Sequence, residues 1–192
     1  MRFDLDRPDD AGVLEAVVSR AQAVTARRSA PVVVAVDGPS GSGKTTLAEA
    51  LAERLPATLV HMDDLYPGWD GLAQAVGLVT DLVLEPLSRG ERAAYRRWDW
   101  ARGRWGETLV VAPSPFLVVE GCGSSVLPAG RYAAVRVWVQ ADREVRMRRG
   151  IERDGETFRP HWERWARQED ALFAADRTRE RADFLVDTTP VG

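Results

Sequence analysis

The chain has 192 residues, a formal net charge of −3 and a hydrophobic fraction of 45%. This length suits one α/β domain and is short for two, and the acidic balance argues against a general affinity for nucleic acid. A single cysteine, Cys122, excludes an internal disulfide framework and suits a reducing compartment. Because no apolar run reaches membrane-spanning length and the polar N-terminus does not resemble a signal peptide, we expect a cytoplasmic protein with no membrane partner. Residues 1–192 are expected to form one domain.

Apolar runs of strand length alternate with helical segments along the whole chain. Helices are predicted from Pro8, over 44–55, from Leu72 to a break at Pro86, over 142–154 and within 159–177. Strands are predicted at 32–37, 58–62, 116–121, 134–139 and 184–187, with a short strand at 108–111 in a polar stretch. Continuous apolar strands are typical of parallel sheets that are covered on both faces. The order of elements therefore predicts an α/β fold of three layers, with about five parallel strands between helices.

The most informative stretch joins the first strand to the second helix. It reads Gly38-Pro39-Ser40-Gly41-Ser42-Gly43-Lys44-Thr45 and fits the P-loop pattern G-x-x-x-x-G-K-[ST]. Its glycines let backbone N–H groups approach phosphate oxygens, and the N-terminus of the helix adds partial positive charge. Lys44, the only lysine of the chain, is expected to reach the β- and γ-phosphates. We therefore predict the P-loop NTPase fold, with ATP bound by residues 38–46, including Thr46.

Carboxylates that follow two strands complete the predicted chemistry. Ligands of parallel α/β sheets bind at the carboxyl ends of the strands, and Mg2+ takes few protein ligands because it keeps several waters. We expect Thr45 and Glu120 to hold Mg2+, with a turn-capping role as the alternative for Glu120. Asp63 is the preferred base or acceptor-orienting residue, Asp64 is the second choice, and helix N-capping is the alternative for both.

The helix predicted at 142–154 is dense in arginine. Arg146, Arg149 and Arg153 share one face, so their guanidinium groups are placed to close over the phosphates as a lid at about 142–160. Arg149 and Arg153 are the candidate catalytic cations. A solvated face that is paired with neighbouring acidic residues remains the alternative for some of these arginines.

Seven tryptophans occur in the chain, and several flank the predicted acceptor side at about 63–105. Stacking on a ring-bearing substrate and packing of a loop-rich segment are both open for these side chains. His61 and His161 lack the spacing of metal ligands, and we interpret both as structural.

From about Pro31 to Thr189 the chain resembles the uridine kinase family of P-loop small-molecule kinases, which also resembles phosphoribulokinase and bacterial pantothenate kinase. Asp63-Asp64-Leu65-Tyr66 is similar to the family's Asp-Ser-Phe-Tyr, and Val119-Glu120-Gly121 to its Glu-Gly. The resemblance implies that Asp63 is the catalytic base and a neighbour of the metal, and that Glu120 completes the metal site. It also implies that 141–154 is the Arg-rich lid.

The same resemblance extends to the acceptor side. Trp69-Asp70 resembles a Phe-Asp pair that contacts base and ribose, and Trp98-Asp99-Trp100 resembles Tyr-Asp-Phe. The family's following pyrimidine-reading His has no counterpart, since Ala101-Arg102-Gly103-Arg104 stands there and suits an anionic or differently shaped acceptor. The candidate substrate-binding residues are Tyr66, Trp69, Asp70, Trp98, Asp99, Arg102 and Arg104.

Motifs and resemblance together predict an ATP- and Mg2+-dependent kinase that phosphorylates a hydroxyl of a small molecule. A nucleoside such as uridine or cytidine is the leading acceptor, and a sugar, vitamin precursor or antibiotic alcohol is the alternative. A nucleotide-binding regulatory switch is the competitor from another class. We expect no nucleic-acid partner, and the sequence leaves the oligomeric state open, a homo-oligomer included.

Overall fold

A five-stranded sheet forms the centre of the fold. Its strands are β1 (Val32–Asp37), β2 (Thr58–His61), β5 (Phe116–Glu120), β6 (Ala133–Gln140) and β7 (Phe184–Asp187). In the computed structural model, which describes residues 8–25, 30–155 and 158–190, they follow the spatial order β2-β5-β1-β6-β7. Each neighbouring pair is parallel. The predicted parallel sheet is confirmed, and its carboxyl edge collects the ends of β1, β2 and β5.

Helices cover both faces of this sheet. They are α1 (Pro8–Thr25), α2 (Lys44–Arg54), α3 (Leu72–Val79), α4 (Glu85–Ser88), α5 (Arg143–Asp154) and α6 (Trp162–Asp176). Successive residues of β1 point to opposite faces, so Val34 packs in the core with α1 and α2 while Val33 packs in the core with α3 and α6. The three-layer α/β fold is therefore confirmed. No helix within the described ranges is long and apolar enough to cross a membrane.

The polar stretch after α4 folds differently from its prediction. Where only a short strand at 108–111 is predicted, β3 (Ala93–Asp99) and β4 (Arg104–Val111) form an antiparallel hairpin. Ala93 and Tyr95 are buried in the core, whereas the intervening Ala94 and the following Arg96 are exposed. Buried and exposed residues alternate at the start of β3, but the exposed residues include arginines that make the segment resemble a loop.

The predicted helix break at Pro86 is wrong. After α3 the chain makes a π-helical turn over Thr80–Leu84 and enters α4, with Pro86 in its first turn. Proline is tolerated at that position because its missing N–H is not needed for the local hydrogen-bond ladder. The Thr80 hydroxyl donates to the carbonyl oxygen of Val76 at 2.6 Å within the preceding turn.

Candidate active site

The P-loop leaves β1 at Asp37 and enters α2 at Lys44, in the predicted strand–loop–helix context. Two of its glycines have positive φ angles and close neighbours. A Cβ on Gly38 would lie 2.0 Å from the carbonyl oxygen of Val139, and one on Gly41 would lie 2.2 Å from that of Arg146. Glycine is therefore required for the loop to pack directly on β6 and α5.

Beside the P-loop, at the carboxyl edge of the sheet, lies a cavity of about 330 Å3. Its lining combines the predicted phosphate, metal and base residues with a group of aromatic side chains. The lining residues are Ser40, Lys44, Thr45, Asp63, Tyr66, Trp69, Trp100, Glu120, Gly121, Cys122, Arg153, Phe158 and Trp165. The fold thus brings together side chains that are spread from the P-loop to α6.

Lys44 is buried at the start of α2. Its Nζ donates to the carbonyl oxygen of Pro39 at 2.9 Å and lies 3.7 Å from Cys122 Sγ. Burial acts to lower the pKa of Lys44, but the neighbouring Cys122, Glu120, Glu169 and Asp37 together raise it. The ammonium group is therefore kept charged at the wall of the cavity.

Thr45 and Glu120 meet as predicted for a metal site. The Thr45 hydroxyl donates to Glu120 Oε2 at 3.4 Å, and Asp63 lines the same cavity. These hard oxygen donors fit Mg2+, which the three residues would hold together with phosphate oxygens and water. No group of three or more His, Cys, Asp or Glu suited to a metal ion occurs among the described residues.

His61 contacts this carboxylate, a link that sequence reasoning did not find. The parallel register of β2 and β5 pairs His61 with Glu120, and His61 Nδ1 lies 2.7 Å from Glu120 Oε1. This hydrogen bond raises the pKa of His61. The contact depends on strand order, since β2 and β5 are adjacent in space but separated in sequence by α3, α4 and the hairpin.

Asp37, at the end of β1, organises the two loops that frame the cavity. Its fully buried carboxylate accepts the N–H groups of Gly38 at 2.7 Å, Gly123 at 2.8 Å and Ser125 at 2.8 Å, and the Ser125 hydroxyl at 2.9 Å. Burial raises the pKa of Asp37, and the four donors act in the opposite direction. Asp37 thereby fixes the P-loop to the loop that follows β5.

Glu169 is a second buried carboxylate next to the P-loop that sequence reasoning missed. Only 1% of it is exposed, and its Oε1 accepts the N–H of Ser40 at 2.7 Å and the thiol of Cys122 at 3.1 Å. Burial raises the pKa of Glu169, against the opposing effects of Lys44, its hydrogen-bond donors and Arg146. The available signal was a charged residue within the apolar stripe of α6, one turn after Trp165.

The row of arginines on α5 is divided by the structure. Arg153 lines the cavity, whereas Arg149 is not among the lining residues. Arg149 donates to the hydroxyl and carbonyl oxygens of Thr188 at 2.8 Å and 2.9 Å, and Arg146 approaches Glu169. Of the predicted lid, 156–157 lie outside the described residues.

The predicted acceptor residues are likewise found in three places. Tyr66 and Trp69 line the cavity, and the Tyr66 hydroxyl donates to the carbonyl oxygen of Cys122 at 2.9 Å. Asp70 forms an ion pair with Arg164 at the start of α6. The remaining four residues line a second groove on the hairpin, which shares Trp100 with the cavity: Trp98, Asp99, Arg102 and Arg104.

The hairpin also contacts both acidic residues that follow β2. Trp100 lines the cavity, and its Nε1 donates to the carbonyl oxygen of Asp63 at 3.0 Å. Asp64 accepts from Arg97 Nε at 2.8 Å and from the Tyr95 hydroxyl at 3.3 Å. The structure therefore uses Asp64 to hold the hairpin and turns Asp63 toward the cavity.

Similarity to known proteins extends over most of the chain. A family model described as AAA domain matches residues 34–170. A uridine kinase from Latilactobacillus sakei subsp. sakei (strain 23K) is 28% identical over 153 residues, which cover 70% of this chain and 72% of that protein. A cytidylate kinase from Halobacterium salinarum (strain ATCC 29341 / DSM 671 / R1) is 30% identical over 130 residues, covering 66% of this chain and 60% of that protein.

Solved structures share the fold at lower identity. A possible uridine kinase from Bacillus stearothermophilus superimposes with a TM-score of 0.63 at 20% identity, covering 91% of this chain and 99% of that one. Shikimate kinase from Acinetobacter baumannii gives a TM-score of 0.52 at 17% identity, covering 86% of this chain and 88% of that one. The predicted resemblance to uridine kinase-like P-loop kinases is confirmed. With its P-loop, parallel sheet and matched residues 34–170, the chain belongs to the AAA domain family.

Proposed function

We propose that this protein is a kinase that transfers the γ-phosphoryl group of ATP to an acceptor hydroxyl of a small molecule. The observation that carries the proposal is the presence of Lys44, Thr45, Asp63 and Glu120 in one cavity. Phosphoryl transfer needs a phosphate cradle, a metal ion and an oriented acceptor, and little covalent chemistry from the protein. The proposal treats residues 1–192 as one kinase domain that acts in the cytoplasm without nucleic-acid or membrane partners.

Each residue has a distinct task in this proposal. The P-loop amides and Lys44 bind the β- and γ-phosphates, and Thr45 with Glu120 would hold Mg2+ beside them. The bound metal ion neutralises charge that develops on the phosphoryl oxygens. Asp63 orients or deprotonates the acceptor hydroxyl, and Arg153 adds positive charge at the cavity wall.

Aromatic side chains favour an acceptor with a ring. Trp69 lies at the centre of the aromatic group, stacked on His161 with centroids 4.4 Å apart and on Phe158 with centroids 5.4 Å apart. The ring centroids of Trp100 and Trp165 lie 4.8 Å and 6.3 Å from that of Trp69. Such a wall offers large apolar contact and few hydrogen-bonding groups, which suits a nucleoside base better than a polyol sugar.

Phosphate acceptors form the second candidate class. The cytidylate kinase relative and the presence of Arg153 in the cavity favour testing nucleoside monophosphates beside nucleosides. Asp63 supports the hydroxyl acceptor, because a carboxylate next to the transfer site repels an anionic acceptor and attracts the proton of an alcohol.

Asp63→Asn tests the proposal directly. Removal of the base or orienting charge is expected to lower kcat by about 10²- to 10⁴-fold while ATP binding is retained. The measurement is ADP release with uridine, cytidine, their monophosphates, sugars and other alcohols, alongside titration with a non-hydrolysable ATP analogue.

Asp64→Asn is the matched neighbour for this experiment. Because Asp64 holds Arg97 and Tyr95 of the hairpin, its loss is expected to reduce kcat much less. A larger loss at Asp64 than at Asp63 would move the base to Asp64. Absence of ADP release by the wild-type protein with every acceptor would contradict the kinase proposal.

A further inference from the structure

The carboxylate of Glu169 joins three other segments of the fold from its place on α6. Its Oε1 accepts the P-loop N–H of Ser40 at 2.7 Å and the Cys122 thiol, in the loop after β5, at 3.1 Å. Its Oε2 lies 3.7 Å from Arg146 Nη1 on α5. Glu169 is not among the residues that line the cavity, so it contacts the nucleotide side of the P-loop only through other groups.

The surroundings of Glu169 supply hydrogen-bond donors and positive charge. The carboxylate accepts hydrogen bonds from an N–H and an S–H, and it forms an ion pair with the Arg146 guanidinium group at 3.7 Å. Two buried cations lie close by, Arg146 with 8% of its surface exposed and Lys44 with 7%. Lys44 Nζ lies 3.7 Å from the sulfur of Cys122, whose thiol donates to Glu169. Buried cations are costly unless an anion is near, and Glu169 is placed to serve both.

We propose that Glu169 is the resident counter-anion of the nucleotide-free P-loop. It holds the Ser40 amide and balances Lys44 and Arg146 until the phosphates of a bound nucleotide take over part of that balance. The inference rests on the proposed binding of a nucleotide at this P-loop. Glu169 is a positioning residue, since it acts through Ser40, Cys122 and the two cations and touches no reacting atom.

A counter-anion and a simple structural contact differ in one measurable respect. A contact that only pins α6 to the P-loop stabilises the free and the nucleotide-bound protein equally. A counter-anion stabilises the free protein more, because the triphosphate supplies its own negative charge near Lys44. Loss of the charge at position 169 should therefore increase the stabilisation that nucleotide binding provides.

Glu169→Gln is the test variant, because glutamine keeps the shape of the side chain and its oxygen can still accept the Ser40 amide. The free variant is expected to melt at least about 5 °C below the wild type, since Arg146 loses its ion-pair partner and Lys44 loses one of its neighbouring anions. The rise in Tm on adding a magnesium complex of a non-hydrolysable ATP analogue should exceed the wild-type rise by about 3 °C or more. The Kd of the analogue should be equal to or lower than that of the wild type.

Asp170→Asn provides the matched control, since it removes a carboxylate from the exposed side of the same helix. It is expected to leave both the free Tm and the nucleotide-induced rise unchanged. If the analogue raises the Tm of the wild type but raises that of Glu169→Gln by the same amount or less, the role of Glu169 is overturned and the proposed function stands. No rise in the wild type would overturn nucleotide binding, and this inference with it.

The proposal can be tested even if the variant does not fold without a ligand. If Glu169→Gln cannot be isolated free, it should be recovered folded when purified with the analogue and should unfold when the analogue is removed. Failure to fold at saturating analogue would overturn the proposal, because the phosphates would then not replace the missing charge.

Discussion

At the scale of single residues, the site depends on buried carboxylates that accept several donors each. Asp37 accepts four hydrogen bonds from two loops, and Glu120 accepts from Thr45 while it contacts His61. Each carboxylate connects the end of one strand to a segment that is distant in sequence. These contacts determine where the loops of the cavity lie before any ligand binds.

Asp37→Asn should destabilise the protein by about 2–3 kcal/mol. The amide nitrogen of asparagine cannot accept hydrogen bonds, so some of the buried N–H and O–H groups that donate to the carboxylate would lose their acceptor. The free energy of unfolding is measured by urea denaturation. Asp81→Asn, on an exposed position, is the control and is expected to stay within about 0.5 kcal/mol of the wild type. An equally small change in Asp37→Asn would show that the loops do not depend on this carboxylate.

At the scale of elements, α5 is joined to the back of the P-loop as well as reaching the cavity. Arg146 donates to the carbonyl oxygen of Ser40 at 3.4 Å, and Arg149 binds Thr188, whose hydroxyl donates to Ser42 at 2.7 Å. Only the far end of the helix brings an arginine, Arg153, to the cavity. The first turns of α5 therefore support the loop, and its last turn brings Arg153 to the cavity.

Gly41→Ala should separate α5 from the P-loop, since its Cβ would lie 2.2 Å from the Arg146 carbonyl oxygen at a φ of +77°. We expect the Kd of an ATP analogue to rise at least about tenfold. Backbone strain should also lower the free energy of unfolding by about 1–2 kcal/mol, in addition to the cost of the clash. Isothermal titration and urea denaturation measure the two effects.

Gly103→Ala is the matched control, because Gly103 also has a positive φ of +59° but nothing lies within 4 Å of its Cβ position. It should show the strain without the loss of nucleotide binding. Equal nucleotide affinities in the two variants would contradict the supporting role of α5.

At the scale of the whole molecule, the cavity joins the P-loop, the ends of β2 and β5, the hairpin, α5 and α6. Its apolar lining residues Tyr66, Cys122, Phe158 and Trp165 belong to the hydrophobic core on the α3 and α6 face of the sheet. A ligand that bridges these elements should stabilise the fold as a unit.

A magnesium–ATP analogue complex at 100 times its Kd should stabilise the protein by about 2.7 kcal/mol, or roughly 5–10 °C in Tm. Chelation of Mg2+ should remove part of this shift in the wild type but little of it in Glu120→Gln, which lacks the proposed metal ligand. Glu53→Gln, exposed on α2, should respond like the wild type. Full dependence on Mg2+ in Glu120→Gln would contradict the role of Glu120.

Most of the candidate site could be predicted because its residues follow local rules. The P-loop pattern, the apolar strands and the carboxyl-edge rule placed Lys44, Thr45, Asp63 and Glu120 at one edge without knowledge of strand order. The hairpin was harder, since the exposed residues of β3 include Arg96 and Arg97 and the segment therefore has the composition of a loop.

The sequence by itself determined that a P-loop lies at the carboxyl edge of a parallel sheet, because strand periodicity and the glycine pattern are local properties. Only the tertiary structure decided that Glu169 contacts Ser40, that His61 contacts Glu120, and that Arg149 binds Thr188 instead of lining the cavity. These contacts join elements far apart in the chain, and they depend on strand order and helix packing. Local propensity carries no information about which distant partner a buried charge will meet.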